Sequence, residues 1–296
     1  MAKVEFKYPA EVARRKIEEF AETKCYPFER KVLNNGLLWK YAFTTGEENE
    51  TVVNVYLKAD GTTTSVYVEK GNPVILEELI GDCWKPSREF SVVGIDEAGK
   101  GDYFGPLVIA AAGVTPMQEI KLKAAGVADS KNIDDKSVIE IAKRIAVLCS
   151  HDVVVIGPEK YNELYSKFGN LNRLLAWGHA RALENVLKKG EFKVAISDKF
   201  SRKDELRSTL FQKGKEIELI EKPRAEAEVC VATASIIARA TFLNRLQKLS
   251  KACGVKLPKG ATHILDVAKK LVEKVGKEQL GKYAKLHFKT TDKVLG

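Results

Sequence analysis

Two adjacent carboxylates, Asp96 and Glu97, close the apolar run Val92-Val93-Gly94-Ile95, and a glycine-rich turn, Ala98-Gly99-Lys100-Gly101, follows them directly. A second apolar run begins at Leu107-Val108-Ile109. Apolar β-branched runs on either side of a Gly-rich connection predict two neighbouring strands. Consecutive strand residues face opposite ways, so both acids line one site only if the strand bends there, and the glycines supply that bend. Carboxylate oxygens without His or Cys suit a hard divalent cation, Mg2+ or Mn2+. A competing chemistry is phosphate cradling, since Gly94 to Gly101 nearly matches the P-loop pattern G-x4-G-K-[ST]. Residue 101 is Gly and offers no hydroxyl to a metal, and two acids inside such a loop would repel a phosphate. The bland alternative is a solvated loop whose acids have no task.

Two more acidic positions stand out. Asp198 ends the run Phe192-Lys193-Val194-Ala195-Ile196-Ser197, and sites in open α/β sheets collect at strand ends. A lone strand-end Asp also serves as an N-cap for the next segment. Glu226 and Glu228 are expected in the first turn of a buried helix through Val229 to Arg239, where the helix dipole alone favours an acid. If these sites converge, unit charges 4 Å apart repel by about 4 kcal/mol at an effective dielectric of about 20. Such a cluster requires protons or bridging cations. Two ions about 3.5–4 Å apart can activate water and stabilise the leaving oxygen of a phosphodiester. Spacing along the chain does not establish the convergence.

The elements that must position these acids fall into two domains, 1–85 and 86–296, in a chain of 296 residues. In the first, Glu11 to Lys24 has helical spacing, and Leu37 to Phe43 puts Trp39, Tyr41 and Phe43 on one strand face. That aromatic stripe is core or a stacking surface for nucleic acid. Thr51 to Lys58 and Thr63 to Glu69 form a hairpin about Asp60-Gly61. Gly71-Asn72-Pro73 and Trp84-Lys85-Pro86-Ser87 mark the linker. In the second domain, helices are expected from Asp134/Asp135, after Pro158, at Arg173 to Lys188, at Arg202 to Lys213 and from Leu257 onward. Strands at Asp152 to Ile156, Phe192 to Asp198 and Glu216 to Glu221 alternate with them, which predicts an α/β sheet with helices on both faces.

The chain is 45% apolar and 30% charged, the composition of a folded protein and not of a disordered one. No uninterrupted apolar run approaches the roughly 20 residues of a membrane span, and the start, Met-Ala-Lys-Val-Glu-Phe, lacks a secretory pattern. Cys25, Cys83, Cys149, Cys230 and Cys253 are scattered without a C-x-x-C pair. A reducing, cytoplasmic location is the expectation. Net charge is +9, and residues 1–85 carry 12 basic and 14 acidic residues, so the excess lies wholly beyond them. A basic surface around a small acidic cluster suits a polyanion held by its backbone and attacked at one point; solubility charge is the alternative.

From Gly94 to Leu107, Gly-Ile-Asp-Glu-Ala-Gly-Lys-Gly-Asp-Tyr-Phe-Gly-Pro-Leu resembles the first active-site motif of the type 2 ribonucleases H, and within them of ribonuclease HIII. Asp129-Ser-Lys131, Asn170-Leu-Asn172, Asp198-Lys-Phe200, Arg224-Ala-Glu226, Ala234-Ser-Ile-Ile-Ala-Arg239, Leu257-Pro-Lys-Gly260 and Leu286-His-Phe-Lys289 resemble further blocks of that family, in order. The resemblance implies a ribonuclease H-like fold, a mixed five-stranded sheet with flanking helices. It implies a small α+β, TATA-binding-protein-like N-terminal domain that holds substrate. It implies a catalytic and metal-binding quartet, carried here by Asp96, Glu97, Asp198 and Glu226, with Glu228 as a rival for the fourth place. The activity implied is a monomeric, Mg2+- or Mn2+-dependent endonuclease that cuts the RNA strand of RNA–DNA hybrids by a two-metal route, leaving 3′-hydroxyl and 5′-phosphate ends. Gly99, Lys100 and Gly101 would meet the ribose 2′-hydroxyls, with Lys131, Asn170, Asn172 and Ser235 on the hybrid backbone. Lys100 stands where Thr is commoner in ribonuclease HIII, and Lys199 where Gln is. Nicking at single ribonucleotides in DNA, as ribonuclease HII does, and hybrid binding without catalysis are the alternatives.

Overall fold

The computed structural model describes residues 3–6, 10–33, 38–44, 50–57, 64–70, 78–79, 88–127, 133–200 and 205–296. The expected Asp60-Gly61 turn, both linker motifs and Lys131 lie outside them. By internal contacts the chain forms two units, 1–89 with 116–127, and 90–115 with 128–296.

The first unit is a helix on an antiparallel sheet. Helix α1 (Ala10–Thr23) covers strands β1 (Lys3–Phe6), β2 (Phe28–Leu33), β3 (Leu38–Thr44), β4 (Glu50–Leu57) and β5 (Thr64–Lys70), in spatial order β1-β5-β4-β3-β2. Trp39, Tyr41 and Phe43 are buried with Ile17, Phe20 and Ala21 of α1. The aromatic stripe is therefore core, and each such side chain contributes about 1.5–3 kcal/mol of burial. Helix α2 (Pro116–Ala124), which the sequence reading did not foresee, adds Ile120 to the same core. For that reason 116–127 groups with the N-terminal unit, a departure from the simple 1–85 and 86–296 division.

The second unit holds a mixed five-stranded sheet, β10-β9-β6-β7-β8, from β6 (Val92–Ala98), β7 (Leu107–Val114), β8 (Ser150–Ile156), β9 (Val194–Asp198) and β10 (Glu218–Lys222). β6, β9 and β10 run parallel, and β7 and β8 are antiparallel to their neighbours. Every residue of β7 is buried, as expected of a central strand covered on both faces. Helix α3 (Asp135–Ile145) is capped by Asp134, whose carboxylate accepts from the amides of Lys136 and Ser137. Helix α4 (Pro158–Phe168) stops at Gly169, and helix α5 (Leu171–Leu187) packs Leu174, Leu175, Leu183 and Val186 against Val93, Ile95 and Ile109.

Helix α7 (Val229–Cys253) follows the short helix α6 (Glu205–Thr209) and lies on the opposite face of the sheet. By length and composition it could cross a membrane, yet most of it is buried inside this unit. A Cβ at Gly94 would sit 2.1 Å from the Cys230 carbonyl carbon, so strand and helix backbones touch there. The amphipathic helix expected from Leu257 begins only at α8 (Leu265–Val275), because Pro258 and the positive φ of Gly260 and His263 keep the chain extended or turned before it. Helix α9 (Lys289–Leu295) ends the chain.

Candidate active site

β6 positions the first two acids without the expected bend. Its pairing with β7 continues through Asp96↔Ala110, Glu97↔Ile109 and Ala98↔Val108. Pairing with β9 stops at Ile95↔Ser197, so Asp96 and Asp198 come next in register on neighbouring parallel strands. Strand alternation sends Asp96 to the α7 face, where Ser235 hydrogen-bonds it, and Glu97 to the α5 face, where His179 meets it. Both acids still line one cavity of about 350 Å3, together with Gly99, Asp102, Asp198, Glu226, Ser235 and Arg239.

Glu226 reaches that cavity from a 3-10 turn, Ala225–Ala227, and not from the first turn of α7 as expected. The turn is entered through Arg224 at φ 55° and is tied back by the Ala225 amide, which donates to Asp198 Oδ1 at 3.4 Å. Glu228 is the N-cap residue of α7, pairs with Lys222, and is absent from the cavity lining. Geometry separates the two glutamates that sequence left as rivals.

The other expected contacts divide. Gly99 lines the cavity; its φ of 87° and a Cβ position 2.2 Å from the Pro106 carbonyl oxygen require glycine. At Gly101 a Cβ would meet no atom of the described residues within 4 Å, so their packing does not demand glycine there. The Lys100 ammonium lies 3.5 Å from Glu97 Oε1. Asn170 is the N-cap of α5, accepting from the Asn172 amide at 2.7 Å, and neither asparagine lines the cavity. Lys131 lies outside the described residues.

Burial and the neighbouring Glu97 push the Asp96 carboxyl up to about 7, against the Ser235 hydrogen bond. Burial also raises Glu97, but the His179 hydrogen bond, its charge and Lys100 outweigh it and hold Glu97 below the usual range. Among the described residues no three acid, imidazole or thiol groups already converge as a ligand set. Glu97 faces His179 and Lys100, and Asp198 faces the 225–227 turn. The donor chemistry nevertheless fits a hard divalent ion. Among the described residues five carboxylates and no thiol line the cavity, and one of the five, Asp102, is taken up by the Gly260 amide; an adjacent positive charge would favour ionisation of Asp96. Sequence reasoning missed His179, which is fully buried mid-helix.

The glycine turn is laced to the C-terminal segments singled out in the sequence. The Tyr103 amide donates to Gly260 O at 3.0 Å, Gly105 to Tyr283 O at 3.0 Å, and Gly260 to Asp102 Oδ1 at 2.6 Å. Lys285, fully buried, donates from Nζ to the carbonyls of Asp102 and Gly105, both at 2.8 Å. Burial pushes its ammonium down to about 7, opposed by Asp102. A lysine lowered from 10.5 binds its proton more weakly in the folded state, so its contribution raises stability with pH between about 7 and 10.5 and is flat below. The expected result is a urea midpoint that rises from pH 7 to 9 more steeply in the native chain than in Lys285→Met. Parallel slopes would refute it.

Residues 93–291 match the family model described as Ribonuclease HII. The chain is 43% identical over 205 residues to a ribonuclease HIII of Protochlamydia amoebophila, covering 69% of this chain and 68% of the relative. It is 47% identical over 206 residues to the ribonuclease HIII of Chlamydia pneumoniae, covering 68% and 69%. Among solved structures it is similar to Bst-RNase HIII in complex with Mn2+, at 27% identity and a TM-score of 0.65, over 99% of this chain and 98% of that one.

Proposed function

This chain belongs to the ribonuclease HII family, and on that premise we propose that it hydrolyses the RNA strand of RNA–DNA hybrids as a divalent-metal-dependent endonuclease. The observation that carries the reading is the meeting of Asp96, Glu97, Asp198 and Glu226 around one cavity beside a glycine turn, in a chain of net charge +9. These four side chains would hold Mg2+ or Mn2+. Held there, such ions would supply Lewis-acid charge to a phosphodiester and lower the pKa of a water; the products expected are a 5′-phosphate and a 3′-hydroxyl.

The chain's own groups select and orient the strand. Gly101, which the fold leaves open on its side-chain side, lets backbone approach a ribose, and the 2′-hydroxyl distinguishes RNA from DNA at one nucleotide. Arg239 and Lys259 line the same cavity and share Asp135, which accepts from Arg239 Nη2 at 2.7 Å and pairs with Lys259. Their charge sits where a phosphate backbone would pass, and shared pairing limits how far either can swing. The N-terminal unit is assigned the role of holding the hybrid, with a monomer in the cytoplasm as the working form.

The test is one labelled RNA strand presented alone, paired with RNA and paired with DNA, beside a DNA duplex containing one ribonucleotide. Cleavage confined to the DNA-paired strand, with 5′-phosphate products and a requirement for Mg2+ or Mn2+, is expected. Cleavage only at the embedded ribonucleotide would assign the nicking activity instead. Binding without cleavage in either metal would assign a hybrid-binding protein.

A further inference from the structure

His179 sits in the middle of α5, fully buried, on a face otherwise made of Leu175, Ala176, Ala182 and Leu183. Packing alone would be met there by another aliphatic side chain. An imidazole needs polar partners when buried, and His179 finds both on the strands that carry the acids. Nε2 lies 3.0 Å from Glu97 Oε2 on β6, and Nδ1 lies 3.2 Å from Ser197 Oγ on β9, one residue before Asp198. The ring also packs on Phe200, with centroids 4.9 Å apart. Nε2–H donates to Glu97, and Nδ1 pairs with the buried Ser197 hydroxyl, which itself donates to the Asp198 carbonyl oxygen at 3.2 Å. Ser197 thereby fixes the orientation of the ring.

We propose that His179 is the positioning residue for Glu97: it holds Oε2, leaves Oε1 toward Lys100 and the cavity, and so sets the affinity of the acidic site for a divalent cation. The inference rests on the metal-dependent reading above and deepens it. A carboxylate whose second oxygen is fixed presents its first with little rotational freedom, and partners of this kind typically change metal affinity 10- to 100-fold when removed. Lys100 cannot replace the ring, because it meets the other oxygen, at 3.5 Å, from a half-buried position.

The experiment is Mn2+ titration of the full chain by calorimetry, with kcat and KM for a hybrid at several metal concentrations, in the native protein, His179→Ala, His179→Gln and Ser197→Ala. His179→Ala is expected to weaken Mn2+ binding by about 10- to 100-fold. It should lower kcat at limiting metal while KM for the hybrid hardly moves. His179→Gln, which can keep an N–H near the position of Nε2, should recover much of the affinity. Ser197→Ala, which leaves the ring in place, should give a smaller loss in the same direction, and it decides the matter if His179→Ala does not fold. A folded His179→Ala with native Mn2+ affinity, or a Gln variant as weak as Ala, would overturn the positioning role while leaving the nuclease reading intact. A native chain that neither binds Mn2+ nor cuts a hybrid would overturn both.

Discussion

Asp198→Asn is expected to reduce turnover of an RNA–DNA hybrid by on the order of 10³-fold or more, the scale on which groups that act as a unit fail together. The substitution keeps the shape of the side chain and removes one negative charge. Asp198 is next in register to Asp96 across parallel strands, so the charge lost is one that would face the same cation under the proposed reading. The fold has little to lose, since the side chain is partly exposed at a strand end and, among the described residues, accepts a long hydrogen bond from the Ala225 amide. Thermal stability and hybrid affinity, measured without metal, should stay near native values. Glu226→Gln should behave in the same way. Glu228→Gln should not, because Glu228 pairs with Lys222 and does not line the cavity. Rapid cleavage by Asp198→Asn, or equal losses from the Glu226 and Glu228 variants, would contradict the site as assigned.

The site was legible in the sequence to the extent that its chemistry is local. Asp96-Glu97 with the glycine turn, and Asp198 at a strand end, carry their meaning within a few residues, and all three line one cavity at the ends of β6 and β9. Glu226 was placed in the wrong element because Ala225-Glu-Ala-Glu228 has good helical propensity, whereas Arg224 in the left-handed region forces a tight turn first. The shared access of Asp96 and Glu97 to one cavity is hidden from sequence for a related reason. Strand alternation calls for a bend to bring them together, but an uninterrupted strand whose pairing with its parallel neighbour stops at Ile95 gives both faces access to one cavity. His179 was invisible, since a histidine among leucines and alanines at helical spacing matches a core helix. Its partners lie 82 and 18 residues away. The lacing of the glycine turn by Gly260, Tyr283 and Lys285 is equally non-local and depends on backbone atoms, which sequence patterns do not distinguish.

Gly94→Ala is expected to destabilise the chain by more than about 3 kcal/mol, beyond the usual range for overpacking. The added methyl would lie 2.1 Å from the Cys230 carbonyl carbon, and 2.3 Å from both the Cys230 oxygen and the Val231 nitrogen. All three are backbone atoms, so no rotamer change relieves the clash. Relief requires α7 to lift from the sheet, and that helix carries Ser235, the hydrogen-bond partner of Asp96. Activity should therefore fall along with stability, and substrate should rescue neither. Gly101→Ala supplies the contrast: among the described residues a Cβ there meets nothing within 4 Å, so stability should stay within about 0.5 kcal/mol. Any loss of discrimination between RNA and DNA strands in that variant reports on the substrate side of the turn. Urea denaturation with hybrid cleavage measured on the same preparations separates the two glycines. A Gly94→Ala chain as stable as the native one would mean that strand and helix do not meet backbone to backbone, and the placement of Ser235 against Asp96 would fall with it.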